Sequence, residues 1–576
     1  MLIQILTPVL AHQWFRKHEP TLSTAAACIL VLPLANLAIE SKLSQPDAPL
    51  HAFLDAFSIP SFLLRVLFFC FSLASLIVCY RLSPFHPLAD YPGPLICKAT
   101  KLWGAWVALR GDSHWYVKDL HDRYGPIIRI GPNELSFAEK DAISHILGSQ
   151  GMPRGPLWDG RRFRQGSNDK PYDSLIDVRD NKIHHQLRKG WNNAFSAGPV
   201  KDYQELLEIR GKQLRDHLNS FSVKPGKGDS TPVDFAKWFS LFSFDFMGDL
   251  AFGGCFELMR DGDVHGFFTA MEEGMELPAV MQHVPWINPL MLSIPFISSR
   301  MHAFSSFGVQ QATNRAAMQT KRKDLFYHLY ELPAEERGGS IGDQMELIVA
   351  DCLLTIVAGS DTTATTLSAI LCHLLSDRKV YDTLRAELDE AFPSHSIVDG
   401  WPEIEIDKVG KLPYLNAVVN EGLRLVPALP THLQRAPEAG SGGKVLGDMN
   451  IFIPEGTAVN ISPFTLHRDP RYFSPSPEAF IPERWLANSE GTFTTNREAF
   501  IPFSYGPANC AGKPIAIIEL RYLVAILIRS FDIYHASCKD ATPEVLDAKA
   551  ESWVNALKDR FVFGKSELLV DIVSRK

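Results

Sequence analysis

The sequence predicts a mainly α-helical domain with small β-sheets, carried behind an N-terminal membrane-anchoring region. Three observations predict it. Residues 62–80 are almost wholly apolar, residues 341–375 form a long run that is apolar nearly all round, and the strand-like pieces are few and short. Such a run belongs to a buried central helix. No internal repeat, low-complexity tract or Gly/Ser linker divides the chain, so one large domain is expected although 576 residues would allow several. An apolar content of 46% suffices for its core, and the net charge of -8 speaks against nucleic-acid binding.

Taken in order, residues 22–39 are the first apolar stretch, interrupted by Pro33 and Asn36. They read as a second span, a re-entrant piece or an interfacial helix. Residues 62–80 carry one charge, Arg65, near the start, and are long enough to cross a bilayer; a terminal Arg can snorkel to the interface. Arg16 and Lys17 precede the first stretch and Arg81 follows the second, while residues 40–56 hold Glu40, Asp47 and Asp55 against Lys42. The positive-inside tendency therefore puts the acidic loop in the lumen and the body of the chain in the cytoplasm. Prolines 84, 87, 92 and 94 fix φ and end any helix, which makes residues 84–94 a stiff hinge. The expected organisation is an anchoring region at 1–83, the hinge, and a catalytic domain at 95–576.

Within that domain a short strand is expected at 127–130. His184 and Arg188 stand at i and i+4, one face of a helix, shortly before Trp191 and Phe195. The central helix carries Ala358-Gly359-Ser360-Asp361-Thr362-Thr363, residue types that are poor choices mid-helix. A Thr hydroxyl there can bond the carbonyl four residues back and bend the helix. Helices follow at 378–391 and 412–425, the second closed by Pro427 and carrying Glu421 and Arg424 at i and i+3. Strands are expected at 450–453 and 457–461 around Pro454-Glu455-Gly456, and an apolar helix at 511–530.

Nine cysteines are scattered, odd in number and without a CxxC pair, which argues against a zinc site and a disulfide scaffold. Cys28, Cys70 and Cys79 lie in or beside the apolar N-terminal stretches, where Cys behaves as a small hydrophobe. Cys510 differs. It sits in FSYGPANCAG, residues 503–512, between the turn Gly506-Pro507 and the start of a helix. The positive end of the dipole and free N–H groups there favour thiolate, a soft ligand suited to iron. Phe503 can pack beside the sulfur, and Gly506 and Gly512 remove Cβ atoms where backbone must approach a flat face.

This segment resembles the heme-binding loop of the cytochrome P-450 family, F-x-x-G-x-R-x-C-x-G, through Phe503, Gly506, Cys510 and Gly512; Ala508 stands where the family has Arg. The likeness runs from about Pro92 to near the C-terminus and implies the cytochrome P-450 fold. It implies heme b (iron protoporphyrin IX) with Cys510 as the axial ligand of the iron. Glu421 and Arg424, with Arg484 of FIPERW, resemble the family's buried Glu–Arg–Arg network, which holds the heme-binding core. The segment at 358–363 resembles its oxygen-activation motif. Thr362 would then hydrogen-bond the reacting dioxygen, and Asp361 would relay protons inward. His184 and Arg188 resemble the propionate-binding helix, with His184 where Trp is common, and Arg435 of LQRAP aligns with another propionate-contacting Arg. With Ala508 uncharged, His184, Arg188 and Arg435 would carry that charge.

The resemblance implies a heme-thiolate monooxygenase of the eukaryotic microsomal type, with a Cys loop fungal in style. It would use dioxygen and two electrons to hydroxylate or otherwise oxidise a lipophilic small molecule, such as a terpenoid or other secondary metabolite. The chain has no Rossmann or flavin fingerprint, so electrons are expected from NADPH-cytochrome P-450 reductase, with NADPH acting only through it and cytochrome b5 as a second donor. The expected location is the endoplasmic reticulum membrane, catalytic domain toward the cytoplasm. Residues 271–289, 352–357 and 426–433 are apolar candidates for the pocket wall. Two alternatives stay open: a heme-thiolate isomerase or dehydratase that uses no dioxygen, and a non-catalytic heme-binding protein. Asp361–Thr362 weighs against both, because neither needs proton delivery.

Overall fold

The structure is a computed structural model that describes residues 2–16, 20–44, 58–161, 174–222, 231–254, 256–264, 266–274, 276–318, 322–331, 345–393, 397–398, 401–487 and 491–575. It is mainly helical, with small sheets. Elements used below are numbered in chain order.

Among the described residues, three helices open the chain: α1 (Leu2–Phe15), α2 (Leu22–Ser44) and α3 (Ile59–Leu82). α2 and α3 are long and apolar enough to cross a membrane. Pro33 and Asn36 do not break α2; Asn36 Nδ2 donates to Thr7 Oγ1 at 2.8 Å, which ties the side chain to α1. α1 was not expected. Its 14 residues rise only about 21 Å, short of a roughly 30 Å hydrocarbon core. At one end of this bundle Arg65 pairs with Glu40 at 2.7 Å; at the other, Arg16 donates to the Tyr80 hydroxyl at 2.9 Å. Lys17, Asp47 and Asp55, which entered the charge argument, lie outside the described residues.

The domain behind is built on α4 (Asn181–Ala194), α5 (Ala197–Phe221), α6 (Phe235–Phe252), α7 (Phe267–Gly274), α8 (Met345–Ser376), α9 (Arg378–Ala391), α10 (Pro413–Leu425), α11 (Lys513–Ser530) and α12 (Pro543–Ala556). Helix starts follow capping chemistry. Asp180, Asp234 and Asp377 each accept two backbone N–H groups at the first turns of α4, α6 and α9. α8 is also apolar enough to pass for a membrane span, but it lies inside the domain, packed on α6, which is buried at nearly every position. Gly359 permits that approach, since a Cβ there would stand 2.2 Å from Met247 Sδ. The hydroxyls of α8 are absorbed by its own backbone. Thr355, Ser360, Thr362, Thr366 and Ser368 each donate to the carbonyl four residues earlier, and α8 stays helical throughout.

The strands that matter here are β1 (Ile127–Gly131), β2 (Glu134–Phe137), β3 (Val233–Asp234), β4 (Ala458–Ile461), β5 (Phe531–His535), β6 (Lys558–Arg560), β7 (Val562–Gly564) and β8 (Leu569–Ser574). β1 pairs antiparallel with β2, and β2 pairs parallel with β4. The strand expected just before β4 joins a different sheet: Ile451–Pro454 pairs with Gly443–Leu446. β8 pairs antiparallel with β5 and β3, and the β6–β7 hairpin docks on α8 through Thr365 Oγ1 to the Phe563 carbonyl, 3.1 Å.

Candidate active site

The loop before α11 is shaped by backbone bonds. Cys510 N–H donates to the Phe503 carbonyl at 2.9 Å, and Asn509 N–H to that of Gly506 at 3.1 Å. Ser504 and Gly506 have φ of 60° and 72°. At Gly506 a Cβ would meet the Leu147 carbonyl oxygen at 2.1 Å, so glycine is required by its own backbone neighbour rather than by a flat ligand. Gly512 is different, with φ of −79°: a Cβ there would make only ordinary contact, with Phe195 at 3.9 Å and Ile515 at 4.0 Å. Phe503 packs on the core edge beneath the Lys513 ammonium.

Cys510 is exposed. Desolvation by the surrounding protein raises its thiol pKa, and the N–H groups of Gly512 and Lys513 and the Arg188 guanidinium pull it back without reversing the sign. In the protein alone the helix N-terminus therefore does not outweigh desolvation.

Arg188 does not reach into open space. It grips the Cys loop, donating from Nη1 to the Asn509 carbonyl and from Nη2 to Asn509 Oδ1 at 2.7 Å. One turn earlier His184 is buried and stands 3.5 Å from Arg154 Nη2. Burial, then Arg154, Arg188 and Arg435, hold His184 down to about 3, so it is neutral where the sequence reading gave it charge. Arg435 bridges Arg154 on one side and Val459 of β4 on the other through backbone pairing. Burial pushes Arg435 to about 9 and Arg154 to about 10, values that leave both charged at neutral pH. Among the described residues no carboxylate lies within ion-pair distance of Arg154, Arg188 or Arg435. Clustered cations this buried persist only where an anion compensates them. Sequence reasoning missed Arg154, whose one signal was a lone basic residue in the turn-forming run MPRGP.

Asp361 and Thr362 form a second group, on α8, with no hydrogen bond to the first among the described residues. Ala358, one turn before Thr362, is exposed and Val357 and Gly359 beside it are half-buried, so α8 has an accessible opening there. The Thr362 hydroxyl donates to the Ala358 carbonyl at 2.7 Å. Asp361 Oδ1 accepts from Lys565 Nζ at 2.7 Å, a partner 204 residues away that the sequence did not disclose. A cavity of about 240 Å³ near α5 and α11, lined by Glu208, Arg215, Glu405 and Tyr522, shares no residue with either group.

Below the site, Glu421, Arg424 and Arg484 form one fully buried network. Arg424 makes a two-pronged pair with Glu421, 2.8 Å on each side, and Arg484 Nε reaches Glu421 Oε1 at 3.1 Å. Trp485 Nε1 and the Ile481 N–H complete the carboxylate's shell at 2.8 and 2.9 Å. Burial pushes the Glu421 carboxyl up, but the two guanidiniums outweigh it and hold it below the usual range. Arg424 also donates to the carbonyls of His467 and Ala479, tying α10 to the segment that leads to the Cys loop.

The cytochrome P-450 family model matches residues 94–548. The chain belongs to the cytochrome P-450 family. Among curated relatives, this cytochrome P-450 is 31% identical over 522 residues to the cytochrome P-450 monooxygenase FCK2 of Fusarium pseudograminearum, covering 88% of the chain and 86% of the relative. It is 31% identical to tryprostatin B 6-hydroxylase of Aspergillus fumigatus, covering 87% and 83%. It is also 31% identical to cytochrome P-450 67 of Uromyces fabae, covering 96% of both. The chain is thus a cytochrome P-450 monooxygenase, a heme-iron oxidoreductase, and its likeness is to fungal members. Its two long N-terminal apolar helices are membrane-anchor candidates of the kind such enzymes carry.

Proposed function

We propose that this chain binds heme b with Cys510 as the axial ligand and oxidises a lipophilic small molecule. One observation carries the reading: an exposed thiol at the start of α11 lies beside a buried cluster of cations that makes no ion pair among the described residues. A flat dianion with a metal at its centre fits that donor set. Cys510 offers sulfur, and Arg154 and Arg435, with the neutral imidazole of His184, would meet two propionates. Arg188 braces the loop through Asn509. Arg154 supplies a charge where Ala508 offers none. A metal removes the proton from a coordinating thiol outright, which reverses the effect of burial on Cys510.

Bound there, heme would supply the reductive activation of dioxygen and the transfer of one oxygen atom to the substrate, with two electrons from the reductase and the second oxygen leaving as water. The protein's part is to deliver protons into an otherwise dry pocket. Thr362 Oγ holds a proton near the opening at Ala358, and Asp361 resupplies it. Apolar Leu354 and Val357 line α8 beside that opening and suit a lipophilic substrate. Two relatives named as acting on tryprostatin B support a secondary metabolite as the substrate class. Electrons come from NADPH-cytochrome P-450 reductase, with cytochrome b5 as a second donor. The bundle's Arg16 and Arg81 lie at the end that leads into the catalytic domain, which supports a cytoplasmic catalytic domain by the positive-inside tendency and suits an anchor in the endoplasmic reticulum membrane. Leu95, Leu102 and Trp106 just beyond the anchor are 70%, 60% and 52% exposed, an apolar surface suited to rest against lipid.

The test is the optical spectrum of the dithionite-reduced protein with carbon monoxide. A strongly red-shifted Soret band is expected; a band at the ordinary histidine-ligated position in folded protein would overturn the reading. Two further outcomes follow. Arg154→Leu should lower the heme-to-protein ratio several-fold, because one buried counter-charge is lost. Thr362→Ala should keep heme bound while diverting most reductase electrons to peroxide; unchanged product per NADPH would remove Thr362 from the relay.

A further inference from the structure

The two segments expected as apolar pocket wall, residues 271–289 and 426–433, are not apolar where they meet. They come together at His283 and His432, both buried, whose rings stand nearly perpendicular with centroids 5.1 Å apart. Neither ring nitrogen of His283 has a hydrogen-bond partner among the described residues. Gly104 leaves room for this ring, since a Cβ there would stand 3.2 Å from its Nδ1.

A guanidinium lies beside the pair. Arg161 ends the turn Pro156–Arg161 and is 8% exposed. Its Nε donates to Gln282 Oε1 at 2.7 Å and its Nη2 to the same oxygen, while Nη1 has no partner. Asp559 and Asp177 act on Arg161 from beyond ion-pair distance. Asp559 is engaged elsewhere, accepting from Thr431 Oγ1 at 2.5 Å and from the Phe561 N–H at 3.2 Å. Burial pulls Arg161 down to about 9, which leaves it charged at neutral pH. An amide oxygen and two aromatic faces are all that this cation touches in polar terms, and a buried charge without an anion is costly. Its surroundings tie it to the proposed active site. The Trp158 ring has the Arg154 guanidinium at 5.2 Å and that of Arg161 at 4.9 Å. Phe561, 3.3 Å from the Arg161 guanidinium, turns the β6–β7 hairpin that docks on α8.

We infer that Arg161, with Gln282 and His283, holds the head group of the substrate, and that the substrate is a lipophilic carboxylic acid. This rests on the reading of the chain as a heme enzyme that oxidises a lipophilic small molecule, and it narrows the substrate class. The carboxylate replaces Gln282 Oε1 on the guanidinium and accepts from Nη1, and the His283 imidazole gives it one N–H. Phe561 swings aside to admit it, and Trp158 lies against the apolar body. Charge favours an acid over an alcohol or ester, because a neutral head group would leave the guanidinium as uncompensated as Gln282 does. The carboxylate is held and not oxidised; no covalent bond changes at Arg161. Oxygen enters the apolar part of the molecule, away from the head group.

The test is calorimetric titration of the full-length holoprotein, at neutral pH, with dodecanoic, abietic and naphthaleneacetic acids and the methyl ester of each. At least one acid should bind about tenfold or more tightly than its ester, the advantage of a hydrogen bond to a charged group. Arg161→Gln should abolish that preference, Arg161→Lys should keep part of it, and His283→Leu should narrow it with the guanidinium in place. If no acid outbinds its ester in the unaltered protein, the inference is overturned without recourse to a variant. A preference that persists in Arg161→Gln overturns it as well. So does loss of heme from that variant, which would place Arg161 among the cations of the cofactor. The red-shifted carbon monoxide band of the unaltered protein keeps the two readings apart. With the band present and no acid preferred, only the acid falls; with the band absent, both fall.

Discussion

Cys510→Ala is expected to give a folded protein that shows no thiolate-type spectrum and no monooxygenase turnover. The fold should survive because the loop is held by main-chain bonds the substitution keeps: Cys510 N–H to Phe503, Asn509 N–H to Gly506, and both Arg188 bonds to Asn509. The side chain itself is exposed and packs little, so the stability cost should stay within about 1 kcal/mol. Cys510→Ser separates ligand chemistry from shape, since it keeps the volume but offers a hard oxygen in place of a soft sulfur. It too should lose the red-shifted band. Retention of that band by either variant would move the ligand elsewhere.

Glu421→Gln should be the most damaging change outside the ligand. It removes the carboxylate that Arg424 and Arg484, both fully buried, share. Breaking a buried pair by removing one partner costs about 3–5 kcal/mol, enough to abolish folded holoprotein in a chain of ordinary marginal stability. The readouts are heme retention and the half-life at elevated temperature. Glu483→Gln is the control. Glu483 is a near neighbour in sequence, but its contact is to the Tyr414 hydroxyl at the edge of the core, and a loss of about 1 kcal/mol or less is expected. Equal behaviour of the two variants would mean that the network is not what holds the loop.

Much of the fold was legible because it is locally encoded. α9 occupies the expected residues, 378–391, and α10 and α11 begin within two residues of expectation. Their apolar spacing, the Asp377 cap and the closing Pro427 act within a turn of one another. Residues 22–39 were left open between a span, a re-entrant piece and an interfacial helix for the same reason. Pro33 and Asn36 look like interruptions along the chain, yet α2 runs through both, and Asn36 Nδ2 donates to Thr7 of a helix the sequence did not announce. The strands around Pro454-Glu455-Gly456 were located, but their separation into two sheets depends on β2, more than 300 residues earlier.

By itself the sequence determined the family, the candidate ligand Cys510, the pair Asp361–Thr362 and the members of the Glu421 network. Each is written as residue types at short, fixed spacing, and an ordered set of such motifs is specific. Only the tertiary structure decided the charges around them. Arg154 joins Arg435 through an isolated bridge, His184 is neutral, desolvation outweighs the helix N-terminus at Cys510, and Lys565 closes on Asp361 from 204 residues away. The reason is that desolvation and Coulomb terms depend on how many atoms surround a group and which charges face it. Those quantities are set by packing between elements, and no local pattern along the chain records them.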